Sequence, residues 1–269
     1  VTDNTTNSTA TDLNFGLDRL VVNANNRFEI VTTGTVNSTV TAPAGAIAGT
    51  LALSGKVTLN NNFNDIVAPV ATLELGGTIN ITIANVAMDN SLILAGTTTV
   101  DKTILGDMTI TSNLGSLSIG TVGTYTGNKM NLTLTAAIDV TIGNITGINS
   151  LTVVAGNDIL LTKSVTVSGN LILSAGNSIN GAFRTISATG NITFNGDITL
   201  QDVTVIAGAT KTITFNNNIT MDGGVTIGNT SSTIVLDNTN IVVNGLNNNI
   251  ISKVLNISGW DALRTINVT

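Results

Sequence analysis

Apolar and polar positions along the chain follow a beat. A small polar residue precedes an aliphatic one; a variable residue and a second aliphatic or Phe follow, with Gly or Asn soon after. The clearest copies are Ser150-Leu151-Thr152-Val153, Asn170-Leu171-Ile172-Leu173, Asn191-Ile192-Thr193-Phe194, Thr212-Ile213-Thr214-Phe215 and Thr233-Ile234-Val235-Leu236. Their first aliphatic positions, Leu151, Leu171, Ile192, Ile213 and Ile234, are followed by Leu255 at the same near-constant spacing. A fixed period of about 20 residues is the signature of a solenoid, in which each repeat stacks on its neighbours.

Read backwards, the beat passes through Leu132, Ile110, Leu92, Leu73, Leu51 and Ile30 with slightly less even steps, twelve copies in all. Two residues after each lies a second column, apolar everywhere except at Thr32 and Ser112. The residue between varies freely, as at Ala52, Glu74, Thr133 and Asn256. That alternation is a strand with one face inward and one outward. Each coil holds two further short β-branched runs. One coil reads Leu151-Thr152-Val153, Ile159-Leu160-Leu161 and Val165-Thr166-Val167; a later one reads Ile213-Thr214-Phe215, Ile219-Thr220-Met221 and Val225-Thr226-Ile227.

Three short strands joined by Asn/Gly turns make a triangular rung. The chain is therefore expected to be all-β: a right-handed parallel β-helix (β-solenoid) of about twelve rungs of 20–21 residues, three short strands per rung. At roughly 4.8 Å per rung this predicts a rod about 55–60 Å long. A helical pattern fits only Gly259-Trp260-Asp261-Ala262-Leu263-Arg264.

The residue before the beat is small and hydrogen-bonding in ten coils: Thr50, Thr72, Ser91, Thr109, Asn131, Ser150, Asn170, Asn191, Thr212 and Thr233. This predicts a ladder at one corner, where short side chains supply partners to the turning backbone. Asn195, Asn216 and Asp237 predict a second ladder three residues after the beat. Glycines just past the strand, including Gly34, Gly55, Gly77, Gly96, Gly156, Gly176, Gly196 and Gly259, mark where the chain turns.

Residues 1–29 are read as a polar extension with a cap or irregular first rung, 30–259 as the solenoid, and 260–269 as a C-terminal cap or terminal strand, with Trp260 and Leu263 available to plug the core. Irregular segments near 56–70 and 113–130 are read as loops projecting from the rod.

Composition narrows the chemistry. Only 10% of the 269 residues are charged, the net charge is -6, and the ten basic residues are scattered. The footprint of a nucleic-acid binder is missing. There is no Cys and no His, which removes thiol chemistry, disulfides and His-based acid–base catalysis. No apolar run reaches the ~18 residues of a transmembrane helix. Among the acids, Asp139 and Asp158 share an offset of seven residues from the beat, and Asp202 and Asp222 nearly match at ten and nine. Such pairs suit the flank of a Ca²⁺ site or a carbohydrate-active groove, or simply a solvated turn.

Outward Thr133, Thr152, Thr193 and Thr214 would suit an ice-binding array but for the interruptions at Ile172 and Val235. Sequons at Asn131, Asn191, Asn218 and Asn229, among others, include positions in the corner ladder, where a glycan would clash with stacking. No catalytic, cofactor-binding or metal-binding residue is assigned.

Stretches such as Gly169-Asn170-Leu171-Ile172-Leu173-Ser174-Ala175-Gly176 and Gly190-Asn191-Ile192-Thr193-Phe194-Asn195-Gly196 resemble the repeats of filamentous-haemagglutinin-type adhesins and autotransporter passenger domains, over about residues 30–259. The resemblance implies secretion, a β-helical rod at a cell surface, and adhesive or matrix roles. A secretion-domain signature and an outer-membrane barrel, which such proteins carry, are not evident here.

The expectation is a non-enzymatic extracellular structural or adhesive protein. It would self-associate through its solenoid ends into a filament or surface layer, with a surface receptor or glycan as partner. The alternative is a carbohydrate-active β-helix enzyme, a polysaccharide lyase or hydrolase, identified by clustered charges and aromatic platforms along one groove.

Overall fold

A computed structural model describes residues 109–112, 115–122, 130–182, 184–237 and 239–258 with their side chains. It describes Met108 and the strands Thr6–Asn7, Asp12–Asn14, Arg27–Asn37, Thr50–Leu59, Thr72–Leu75, Thr78–Ile81, Asn85–Met88, Ser91–Val100 and Ile266–Val268 as backbone. Two compact units divide the chain, residues 1–130 with 134–138 and residues 131–133 with 139–269.

The second unit is a parallel β-solenoid. Alternation of β-branched residues with Thr and Asn makes short strands, and three such strands make each turn. On the first face Leu151, Leu171, Ile192, Ile213, Ile234 and Leu255 occupy one register position, each paired in parallel with the next. On the second face the matching column is Val140, Ile159, Ile179, Ile198, Ile219, Ile241 and Ile266. On the third it runs Val165, Ile186, Val205, Ile227 and Ile250.

Strands Ile159–Leu161 and Val165–Val167 each bury their outer two residues and expose the middle one, as the period of two requires. The interior is mostly aliphatic, with Met221, Ser232 and Thr239 also buried, and Phe194 and Phe215 stack on successive turns with ring centroids 5.0 Å apart. Among the described residues there is no helix, and about seven turns are built, fewer than the twelve rungs expected.

Turning costs the chain little where a glycine sits. In Leu171–Ala182 and Ile192–Gln201 one strand bends around the corner between the first and second faces. Gly176 lies against the Gly156 carbonyl so closely that a Cβ would overlap its oxygen, and Gly196 adopts a φ of 142°.

In the first unit every described pairing is again parallel. Phe28, Leu51, Leu73, Leu92 and Leu117 share one register position, and Val36, Val57, Ile79 and Thr98 another. This corrects the beat in two places. Leu51 is matched by Phe28, with Ile30 opposite Leu53, so the first copy begins two positions earlier than Ile30. Leu92 is matched by Leu117, whereas Ile110 pairs with Val86. Ile110 therefore lies outside Leu92's column, but its strand Met108–Ser112 pairs with Leu132–Ala136, so the later beat runs back through Ile110 while Leu117 continues the column of Leu92.

The polar exception at Thr32 arises from the first of these shifts, since Ile30 takes its place opposite Leu53. Ser112 is itself fully buried, on the strand that pairs with Leu132–Ala136.

The 113–130 stretch is likewise not simply a projecting loop. Strand Leu117–Val122 buries Leu117, Ile119 and Val122 in the core. Its register against Ser91–Val100 shifts between Ile119 and Thr121. That irregularity, at the Gly-Thr dipeptide of 120–121, interrupts the pattern within the strand. In the 56–70 stretch, Lys56–Leu59 continue a strand; residues 60–70 lie outside the described residues.

Within 1–29, Thr6–Asn7 and Asp12–Asn14 pair in parallel with Arg27–Asn37 as a short rung. Within 260–269, Ile266–Val268 pairs with Ile241–Asn244 as a terminal strand. Trp260, Leu263 and the suggested helical turn lie outside the described residues.

Candidate interaction surfaces

Most of the polar residues that sequence singles out are engaged in holding one turn to the next. At the corner before the first face, the Asn170 N–H donates to Ser150 Oγ at 3.0 Å, the Asn191 N–H to Asn170 Oδ1 at 2.9 Å, and the Thr212 N–H to Asn191 Oδ1 at 3.0 Å. Each small side chain thus accepts from the backbone of its successor, as the corner column predicts. Past the first strand a second ladder forms. Asn195 Nδ2 donates to Ser174 Oγ at 2.8 Å, Asn216 Nδ2 to Asn195 Oδ1 at 2.6 Å, and Ser258 Oγ to Asp237 Oδ1 at 2.9 Å.

A third ladder does not follow from the first-strand beat. It occupies the residue just before the second-face strand: Asp139, Asp158, Ser178, Asp197, Asn218 and Asn240. Asp139 Oδ1 accepts from the Asp158 N–H at 3.2 Å and from Asn157 Nδ2 at 2.9 Å. Asp158 Oδ1 accepts from Ser178 Oγ at 2.6 Å, Asn177 Nδ2 at 2.8 Å and the Ser178 N–H at 3.0 Å. Asp197 and Asn218 repeat the arrangement toward Asn218 and Asn240.

The shared offset of Asp139 and Asp158 therefore reflects a stacked turn position, with each carboxylate turned to the backbone of the following turn. The Ser178 hydroxyl, assisted by the Asn177 amide and Ser178 N–H, holds the Asp158 carboxyl below its ordinary pKa against a partial desolvation. Aligning the second strand as well as the first reveals this column in sequence.

Asp202 and Asp222 do not share a register position: the Asp202 N–H donates to the Gly223 carbonyl at 2.9 Å. Asp202 sits at a positive φ of 49° in the corner after the second face, its carboxylate lying over Gly224. Asp222 ends a second-face strand opposite Asn244. Among the described residues no three His, Cys, Asp or Glu side chains gather as a metal site would require.

The sequon residues are occupied too. Asn131 accepts from Asn149, Asn191 from Thr212, Asn218 donates to Asp197, and Asn229 donates to the Ala207 carbonyl. The outward Thr row is interrupted as its sequence implies, running Thr152, Ile172, Thr193, Thr214, Val235.

Two surfaces of the second unit stand apart from these ladders. One is an open depression of about 350 Å³ on the second face, crossing four successive turns. Leu160, Asn180, Thr199, Gln201 and Asp222 line it with Arg184 at its corner. The other is the last first-face strand, Val254–Ser258. Its Leu255 and Ile257 hold the same inward positions as Ile234 and Leu236, yet are 47% and 45% exposed where those are at most 1%. Val254 and Ile251 beside them are exposed as well.

No family model, curated protein or solved structure matches this chain. Its fold belongs to the class of parallel β-solenoids.

Proposed function

We propose that this chain is a non-enzymatic structural and adhesive protein of an extracellular surface, whose solenoid adds copies of itself at the Val254–Ser258 edge. The observation that carries the reading is the exposed inward column at Leu255 and Ile257. A strand edge with free backbone groups and an apolar inner face is a template for another parallel strand. A rung of a second copy would bury that column as Leu255 and Ile257 themselves bury Ile234 and Leu236. Such a contact joins different surfaces of the two copies, and a heterologous contact that does not close produces a filament.

Three other features support a structural role. The polar side chains are largely spent on inter-turn ladders. Asp139 and Asp158, the best-aligned acids, are engaged in those ladders and are poorly disposed as an acid–base pair. The repeat style resembles that of filamentous-haemagglutinin-type adhesins and autotransporter passenger domains, which is in keeping with a rod at a bacterial surface.

Negative-stain electron microscopy of the purified chain tests the proposal. Filaments are expected for the native sequence and short single particles for the Leu255→Lys/Ile257→Lys variant. Single particles for both, at every concentration, would overturn it.

A further inference from the structure

The first face of the second unit is a sheet surface bordered by charges of opposite sign. We infer that two copies of the chain pair side by side through this face, solenoid axes parallel, about a two-fold axis running along them. The pairing deepens the self-association proposed above and uses a surface separate from the Val254–Ser258 edge.

The charged residues of this unit are sorted by corner. Lys211 and Lys253 stand just ahead of the first-face strands Thr212–Phe215 and Val254–Ser258. Both are exposed, and among the described residues no acid shares their corner. Asp139, Asp158, Asp197 and Asp237 stand at the opposite border, between the first and second faces, with no described cation beside them. The remaining corner is mixed, holding Asp202 and Asp222 with Lys163 and Arg184. Between the two one-signed borders the outward column is uncharged, running Thr152, Ile172, Thr193, Thr214, Val235 and Asn256. Covering it desolvates hydroxyls and methyls but no charge.

Turn order interleaves the borders. Asp197, Lys211, Asp237 and Lys253 belong to four successive turns, those of Ile192, Ile213, Ile234 and Leu255. Rotation about an axis parallel to the solenoid lays the lysine border of each copy against the aspartate border of the other at equal heights. Acid and base then alternate at steps of about 4.8 Å, within reach of a lysine stem. Turning one copy end over end sets lysine against lysine and aspartate against aspartate, which opposes association. Charge therefore selects the parallel pair.

A polyanion would meet the aspartate border and a basic partner the lysine border, whereas a second copy of the same face answers both. Six turns of five-residue strands offer roughly 450 Å² per copy, about half of a standard stable interface. Pairs of single chains are therefore weak, and the charges set orientation more than affinity. A parallel pair leaves both Val254–Ser258 edges at one end, so the contact repeats along a growing filament and gains avidity.

Sedimentation equilibrium of the full chain carrying Leu255→Lys/Ile257→Lys, which blocks addition at the edge, tests the inference. A reversible dimer is expected, with a dissociation constant about tenfold higher in about 500 mM salt than in about 50 mM. In this background Lys211→Glu/Lys253→Glu, at exposed side chains outside the ladders, should abolish the dimer. Asp197→Lys/Asp237→Lys should abolish it too, with circular dichroism verifying that the strands remain. An equimolar mixture of the two variants should associate again, because each supplies the border the other lacks. Monomers at every concentration, a dimer indifferent to Lys211→Glu/Lys253→Glu, or folded variants that stay apart when mixed would overturn the inference. Filaments of the native chain are read separately, so the face and the edge succeed or fail independently.

Discussion

Ile234 and Leu236 lie one turn from Leu255 and Ile257, in the same columns and facing the same interior. The first pair is sealed from solvent and the second is nearly half exposed. Residue type does not distinguish them, since all four are aliphatic. What differs is whether another turn lies on top. In a solenoid, burial is a property of the stack, so an inward position is only as buried as its next neighbour makes it. The comparison explains why identical sequence patterns serve as core in one turn and as a proposed contact surface in the next.

The largest expected difference comes from truncating the core. Phe215→Ala removes a fully buried ring stacked on Phe194 and should cost about 3–5 kcal/mol, whereas Ile257→Ala in the dispersed chain should cost under about 1 kcal/mol. Denaturant titration of both variants measures the contrast, and equal losses would erase it.

The corner comes next. Gly176→Ala drives a Cβ into the Gly156 carbonyl and should cost about 1–3 kcal/mol, read by thermal or denaturant unfolding.

A single ladder position should matter less. Asn191→Ala leaves the Thr212 N–H without its 3.0 Å acceptor and should cost about 1 kcal/mol or less, because the corner is open to water.

The smallest effect is a shift in titration. Ser178→Ala removes the main donor to Asp158, and the Asp158 pKa should rise toward the ordinary carboxylate range, as an NMR titration would report. The sign for stability follows. With the folded pKa depressed, this carboxylate stabilises the native state above its unfolded pKa, and that contribution is lost as pH falls through the folded value. Ser178→Ala should therefore flatten the acid limb of the stability curve.

Much of the solenoid can be read directly from residues 150–237, where Leu151, Leu171, Ile192, Ile213 and Ile234 keep nearly constant spacing and the corner Asn and Ser residues bond as their column implies. Spacing alone misleads further toward the N-terminus. Ile110 sits at an acceptable distance from Leu92 but lies in another column. The strand that does stack on Leu92 reads as a loop because it arrives later than the period allows. A stack tolerates extra residues at its corners as long as the strands rejoin in register, so linear distance is a weaker guide than the alternation of Leu117, Ser118 and Ile119.

The third ladder is hidden for a related reason. Asp139 and Asp158 draw notice as acids, yet their position before a second-face strand is the more telling property. The depression at Arg184, Asn180, Gln201 and Asp222 has no linear signature, because its residues come from different turns. Nor does any residue of Val254–Ser258 announce in sequence that its column is left uncovered.

Amide hydrogen exchange at Val254–Ser258, compared between dilute and concentrated protein, tests the account most directly. Burial of this edge by a second copy predicts slow exchange at high concentration and fast exchange on dilution, while Thr233–Asp237 stays protected throughout. Exchange at Val254–Ser258 that is equally fast at both concentrations would contradict it.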